Sequence, residues 1–241
     1  MTDGRVAPII ASMRSPVVGL ASLVFLFGCS APATPPSGAN SQHAEAEVKS
    51  KEQVFWTWFA ENEQRLRTAV KEDARAVVEN DPMNAELDRI HPSLLFELSE
   101  TPDGKHELII SADGDHNAFP AVEALVQAAP TLEHWSVTAF RQPSANLNFE
   151  LAMGEIVLSP QTVLYRSAPD GDKLAITIYL PGDVSKTDAG KMASFLLLDH
   201  ILGEYDVETQ LGVIDWAVLP SEPGDLAPLA KLRDEVASRK R

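Results

Sequence analysis

Hydrophobic residues recur three and four positions apart over residues 52–80, a period typical of one face of an amphipathic helix. They are Phe55, Trp58, Phe59, Leu66, Ala69, Val70, Ala74, Val77 and Val78. Asp81 and Pro82 follow as an N-cap and a first-turn proline, which predicts a short second helix ending near residue 90. We therefore expect the folded part of the chain to begin with a long helix and a short one.

The pattern then changes to short apolar segments separated by turns. Residues 94–100 and 106–111 flank a turn at residues 101–104 and predict a β-hairpin. A helix over residues 119–129 and a strand over residues 135–140 are expected next.

The second part of the chain repeats this order of elements. We expect a strand near residues 148–158, a hairpin around a turn at residues 168–171, a helix over residues 186–202 and further strands to Leu219. Both hairpin turns contain Pro-Asp-Gly. Because that sequence is common in turns, coincidence is the alternative to duplication.

The predicted fold class is α+β. A long N-terminal amphipathic helix precedes two similar ββαβ-type halves, about residues 52–143 and 144–220, which form a largely antiparallel sheet with helices on one face. Such a sheet leaves its other face to water or to a partner. Residues 52–220 are a single domain in this interpretation, and residues 221–241 are a solvated tail or short helix.

Residues 204–211 alternate between acidic side chains and apolar or β-branched ones. In an extended strand this alternation would send Glu204, Asp206 and Glu208 to one face, about 6 to 7 Å apart. We therefore expect a strand whose acidic face needs water, a cation or basic neighbours. A face in contact with water is the simpler interpretation.

The amino terminus has the organisation of a signal peptide. Arg5 and Arg14 precede the uncharged residues 17–27. At about 1.5 Å per residue this segment is too short to cross a hydrocarbon layer of about 30 Å. We expect it to be a signal peptide rather than a transmembrane helix.

The residues that end this segment, Leu26-Phe27-Gly28-Cys29, resemble the lipobox of bacterial lipoproteins. The resemblance implies that residues 1–28 are a lipoprotein signal peptide and that Cys29 is diacylated, with palmitate as a typical acyl chain. Dual acylation anchors a protein stably, whereas one chain does not. Ser30 follows the cysteine, and the family rule then favours the outer membrane of a Gram-negative bacterium, with the domain in the periplasm. An ordinary secretory peptide with an incidental cysteine is the alternative.

Residues 29–51 predict a lipidated, flexible tether. They lack aromatic residues and contain one branched aliphatic residue, Val48, so they bury too little apolar surface to offset their chain entropy.

Charge and cysteine content limit the partners. The chain has 35 acidic and 20 basic residues and a net charge of −15, so it repels nucleic acid and anionic lipid headgroups. One cysteine allows neither an intrachain disulfide nor a zinc site built on cysteine pairs. No cofactor is expected. The expected partners are the membrane, through the lipid anchor, and another envelope protein, while the oligomeric state stays open.

Four strings in the folded part resemble a family of uncharacterised bacterial proteins that share their order. They are W-T-W-F-A-E-N-E at residues 56–63, L-I-I-S-A-D-G at 108–114, F-R-Q-P at 140–143 and L-D-H-I-L-G-E-Y-D at 198–206. The resemblance would cover most of residues 54–216 and implies a single domain. It assigns no activity and no catalytic residue.

Serine-elbow, zincin, Walker A and dinucleotide-binding motifs are absent from the sequence. Asp113, Asp115 and Asn117 are spaced like the first ligands of an EF-hand loop, which makes them alternative metal ligands. Ala118 and Ala124 stand where that loop needs Gly and Glu. Capping of the next helix by Asp115 or Asn117 is therefore the favoured interpretation.

Asp199, His200 and Glu204 are the alternative catalytic residues. A carboxylate and an imidazole close together can act as a general acid and base. Asp199 and His200 can instead lie on the polar side of the apolar helix that precedes Glu204. Arg141 follows a strand of buried type in a very acidic chain, so we expect it to pair with a carboxylate of the protein rather than with a substrate.

The function predicted from these observations is a binding or assembly module on a membrane-anchored envelope lipoprotein, and enzyme activity is not favoured. The alternative is a metal-assisted hydrolase that acts on an envelope polymer or peptide. That alternative requires Asp113 and Glu204 to meet in one cleft.

Overall fold

A computed structural model describes residues 49–101 and 104–240 of the 241-residue chain, without the side chains of residues 72–80. The signal peptide, Cys29 and most of the tether lie outside the described residues, as do Pro102 and Asp103 of the first predicted turn. Within the described ranges, no helix combines the length and the apolar character that crossing a membrane requires.

The first half begins with helix α1 (Lys51–Asn80) and helix α2 (Met83–Asp88), at the positions where the sequence predicts two helices. Ser50 and Gln53 form a capping box at the start of α1. The Ser50 hydroxyl accepts the N–H of Gln53, and the Gln53 side chain accepts the N–H of Ser50.

A three-stranded sheet follows. Strands β1 (Leu95–Glu100) and β2 (His106–Ser111) pair antiparallel, as the hairpin prediction required. Helix α3 (Phe119–Gln127) then leads to β3 (Trp135–Ala139), which pairs parallel with β2. The strand order is β1-β2-β3.

Helices α1 and α3 cover one face of this first sheet. The first hydrophobic core lies between these helices and the sheet. It includes Phe55, Phe59, Phe96, Leu98, Leu108, Ile110, Val122 and Leu125. Trp56 joins the two helices, because its Nε1–H donates to the carbonyl of Leu125 at 2.8 Å. Successive strand side chains point to opposite faces, so Glu97, Ser99, Glu107 and Ile109 belong to the face away from these helices.

The second half begins with a short separate hairpin where one strand was expected. Strands β4 (Leu151–Met153) and β5 (Ile156–Leu158) pair antiparallel around Gly154, whose φ of 61° suits a tight turn.

A four-stranded sheet with the order β8-β7-β6-β9 completes the fold. Its elements are β6 (Leu164–Asp170), β7 (Lys173–Leu180), α4 (Asp188–Leu202), α5 (Glu204–Gln210), β8 (Leu211–Val218) and β9 (Ala227–Pro228). β6 and β7 pair antiparallel, whereas β7 and β8 pair parallel. Asp170 pairs with Lys173, so the turn lies at residues 171–172, slightly later than predicted.

The expected strand over residues 204–211 is wrong, because residues 204–210 form helix α5. Gly203 has a φ of 85°, which ends α4 and lets α5 start at once. Glu204 is 1% exposed and Tyr205 is 47% exposed, the reverse of the predicted faces. A separation of four residues puts Val207 and Leu211 on one face of a helix as well as on one face of a strand, so this spacing could not distinguish the two structures.

The single, largely antiparallel sheet is also corrected. The described residues form sheets of three, two and four strands, and each of the two larger sheets contains one parallel pair. The α+β class stands. Residues of the first half form one hydrophobic core, and residues of the second half, from Leu158 to Val236, form another.

The C-terminal segment is not a solvated tail. It contributes β9 and helix α6 (Leu232–Arg239), and Leu229 and Leu232 are fully buried in the second core. Arg233 also donates from Nε to the carbonyl of Ile201 at 2.7 Å, which fixes this segment against α4.

Replacement of Leu232 by alanine should therefore destabilise the protein by about 2–4 kcal/mol, because it leaves a cavity in the second core. Lys231→Ala, at the exposed neighbouring position, should change the free energy of unfolding by less than about 0.5 kcal/mol. Urea unfolding of both variants measures the difference. Equal stabilities would mean that this segment does not belong to the core.

Candidate functional site

Helix α4 contacts both halves of the molecule. Ala193, Leu197, Leu198 and Ile201 pack into the second core. Leu196, Asp199 and His200, which are three and four residues apart, share another side of the helix and turn towards the first sheet.

A cleft of about 260 Å³ lies between α4 and the open face of the first sheet, and we call it the junction cleft. Glu97, Glu100 and Glu107 line it from the sheet, and Asp199 lines it from α4. Arg141 also lines the cleft, from the segment that follows β3. The cleft therefore has four carboxyl groups beside one guanidinium.

Arg141 joins the two halves at the base of this cleft. Its Nε donates to Glu97 on β1, and its two terminal nitrogens lie 3.3 Å from Asp113 Oδ1 and 3.4 Å from Asp199 Oδ2. The expected pairing of Arg141 with native carboxylates is confirmed.

Glu204 fastens α5 to the first half through the backbone. Its Oε1 accepts the N–H of Ala112 at 2.8 Å and its Oε2 accepts the N–H of Arg141 at 3.1 Å. The N–H of Glu204 donates in turn to the carbonyl of Arg141 at 2.9 Å. Both carboxylate oxygens are therefore engaged in holding the two halves together. We refer to Glu97, Asp113, Arg141, Asp199 and Glu204 as the junction cluster.

Burial changes the acidity of this cluster. It raises the pKa of Asp199 to about 7; Arg141 opposes this shift, and the neighbouring Glu204, Glu97 and Asp113 reinforce it. It also raises the pKa of Glu97, against the effect of Arg141. The pKa of His200 is lowered by burial and by Arg141, so its imidazole is neutral at pH 7.

The structure brings three of the sequence-predicted site residues together and separates the others. Asp113, Asp199 and Glu204 all belong to the junction cluster around Arg141, but neither Asp113 nor Glu204 lines the junction cleft, so the condition that they meet in one cleft is not fulfilled there. His200 lines the same cleft, but its Nδ1 lies 3.2 Å from the hydroxyl of Ser144.

Helix α3 begins without the expected side-chain cap, but Asp115 caps the 3-10 turn His116–Ala118 that leads into it. Its Oδ1 accepts the N–H of Asn117 and its Oδ2 accepts the hydroxyl of Ser93, while Asp113 turns to Arg141. The alternative metal ligands therefore diverge. Across the part of the chain that the structure describes, no group of three His, Cys, Asp or Glu side chains is placed to hold a metal ion.

Glu97 is the member of the junction cluster that the sequence analysis missed. It is 3% exposed within the strand Leu-Phe-Glu-Leu-Ser-Glu. A carboxylate flanked by buried apolar residues is rarely tolerated without a partner, and this signal was available in the sequence.

Replacement of Arg141 by methionine should destabilise the protein by about 3–5 kcal/mol, because it leaves the buried carboxylate of Glu97 without a partner. Arg166→Met is the matched control, since the Arg166–Asp225 ion pair is exposed and such pairs contribute about 0–1 kcal/mol. Chemical unfolding at pH 7 measures both changes. Adding Glu97→Gln to Arg141→Met should restore part of the loss, and no restoration would contradict this assignment.

No protein-family model, no curated protein and no solved structure matches the chain. The resemblances carried by the lipobox and by the four strings in the folded part stay predictions.

Proposed function

We propose that this protein is a membrane-anchored envelope lipoprotein and that its domain is a binding module for a cationic group. The junction cleft is the single observation that carries the proposal. It has four carboxyl groups, and its one guanidinium is already engaged by Glu97, Asp113 and Asp199. A protonated amine in the cleft would balance this excess of acid.

The size of the cleft favours a small group. At about 260 Å³ it lies just below the range of roughly 300–1,000 Å³ that pockets for drug-sized ligands occupy. Ile109 and Leu196 supply apolar wall beside the carboxyl groups. A lysine side chain or an alkylamine matches this lining, because its methylene chain can lie on the apolar wall while the ammonium meets the acids.

The lysine side chain of another envelope protein is the natural source of such a group in the proposed location. The net charge of −15 would also attract a basic partner over a longer range. The cleft opens on the sheet face that helices α1 and α3 leave uncovered, where a partner surface can approach.

A metal-assisted hydrolase is not proposed, because the donor groups are engaged elsewhere. Glu204 uses both carboxylate oxygens on backbone N–H groups, and Asp115 caps a turn. The neutral His200 is directed to Ser144.

We also propose that the two halves arose by duplication. Each half has an antiparallel hairpin, then a helical connection, then a strand that pairs parallel with the second strand of the hairpin. The common order of pairing supports duplication more strongly than the Pro-Asp-Gly turns do.

The ligand prediction can be tested with pentylamine and its uncharged analogue pentanol. Pentylamine should bind with millimolar affinity and shift the amide NMR signals of Ser99, Glu107 and Ile109. Added salt should weaken this binding, because it screens the attraction between the ammonium and the carboxylates. Pentanol should cause much smaller shifts.

Glu107→Gln should weaken pentylamine binding about two- to fivefold, because it removes one carboxylate from the cleft while it keeps the shape of the side chain. Glu133→Gln, which changes an exposed acid outside the cleft, is the control. Equal affinities for pentylamine and pentanol would overturn the proposed specificity.

The membrane anchor rests on Cys29 and has its own test. Cys29→Ser should abolish diacylation and cleavage after Gly28, because the thiol is the acyl acceptor in the lipobox. Metabolic labelling with a palmitate analogue, followed by mass spectrometry of the mature amino terminus, reports both steps. Ser30→Ala should keep the label, and an unmodified mature chain that begins elsewhere would refute the anchor.

A further inference from the structure

The junction cluster contains more acid than its base can balance. Glu97, Asp113, Asp199 and Glu204 surround one guanidinium, so full ionisation would place four negative charges beside one positive charge. Like charges held close together in a partly dry site repel strongly. At least one of these carboxyl groups is therefore most stable with a proton.

The contacts favour Asp199 as the group that holds this proton. Glu97 has the closest contact with the guanidinium, and Glu204 accepts two backbone N–H groups that stabilise its charge. Asp199 has a 3.4 Å contact with Arg141, the longest of the three guanidinium contacts. Its side chain is 13% exposed, compared with 23% for Asp113.

We propose that the contact between the two halves is controlled by the proton on Asp199. With the proton bound, α4 stays against the first sheet and Arg141 balances the remaining carboxylates as far as it can. When the proton leaves, the added negative charge repels Glu97 and Asp113 across the junction and loosens the contact between the halves.

The other charged groups near Asp199 do not cancel this effect. Glu97 on β1, Asp113 after β2, and Glu204 and Glu208 on α5 are all acidic, and Arg141 is the only cation among the residues that line its two cavities or belong to the junction cluster. His200 on α4 is neutral, since its pKa is lowered by burial.

Two cavities border the Arg141–Asp199 pair. The junction cleft is one of them. A second cavity of about 250 Å³ is also lined by Arg141 and Asp199, together with Asp113 and Glu208 among others. A small separation of the halves would join these two spaces around Asp199 and hydrate its carboxylate.

The direction of the pH effect follows from the pKa of Asp199, which burial raises from 3.8 to about 7. The closed junction therefore gains stability from this group at low pH, and that gain is lost as the pH rises through about 7. Because Asp199 regains its ordinary pKa when the junction is open, the equilibrium constant for opening the junction should rise about tenfold between pH 6 and pH 8.

Amide hydrogen exchange of the full-length protein tests the proposal without any ligand, so it does not depend on the proposed function. The informative amides cross the junction: Ala112 and Arg141 donate to Glu204, and Glu204 donates to the carbonyl of Arg141. After correction for intrinsic exchange, their protection factors should fall about tenfold between pH 6 and pH 8. Amides paired between β1 and β2, and between β6 and β7, should keep theirs.

Asp199→Asn is the decisive variant, because it keeps the shape of the side chain and cannot ionise. Its junction amides should show no such fall. Asp225→Asn, which removes an exposed acid, should behave like the wild type. Constant protection at the wild-type junction would overturn the proposal, as would an equal fall at the strand amides or a retained fall in Asp199→Asn. The wild-type profile decides alone if the variant does not fold.

Discussion

The structure depends on one constraint, the need to bury Arg141 and Glu204 where the two halves meet. Two hydrophobic cores lie in separate halves, and the junction cluster brings polar groups of both into contact. The guanidinium of Arg141 contacts three carboxyl groups, and the carboxylate of Glu204 accepts two hydrogen bonds from backbone N–H groups of the first half. Polar groups in such a place must be paired, so their positions fix how α4 and α5 sit against the first sheet.

The junction cluster affects the stability of the protein differently from an apolar interface. A buried ionic cluster contributes little net stability compared with well-packed hydrophobic residues, because desolvation offsets the attraction between charges. It is costly to break, however, since removing one partner leaves an unbalanced charge. The junction therefore defines one orientation of the halves. The acidic side chains of the junction cleft are the part of this arrangement on which the proposed binding of a cationic group rests.

The sequence predicted local structure far better than the contacts between distant segments. The period of α1 and the hairpin of β1 and β2 follow from neighbouring residues, and both elements lie where the sequence predicts them. Helix α5 was missed because its alternation of acidic and apolar residues imitates a strand, and because the burial of Glu204 depends on Ala112, 92 residues earlier. The pairing of Arg141 with carboxylates was expected, whereas the identity of its partners was set by tertiary packing over separations of 28 to 58 residues.

The same separations imply an order of folding. The ion pair of Glu97 with Arg141 closes within the first half, over 44 residues, whereas the bond between Ala112 and Glu204 spans 92. Contacts over longer chain separations cost more loop-closure entropy and form later. The first half can thus assemble its core and its buried ion pair first, and Asp199 and Glu204 then dock on an arginine that is already in place. Opening of the junction alone would reverse only this last step and would leave both hydrophobic cores closed.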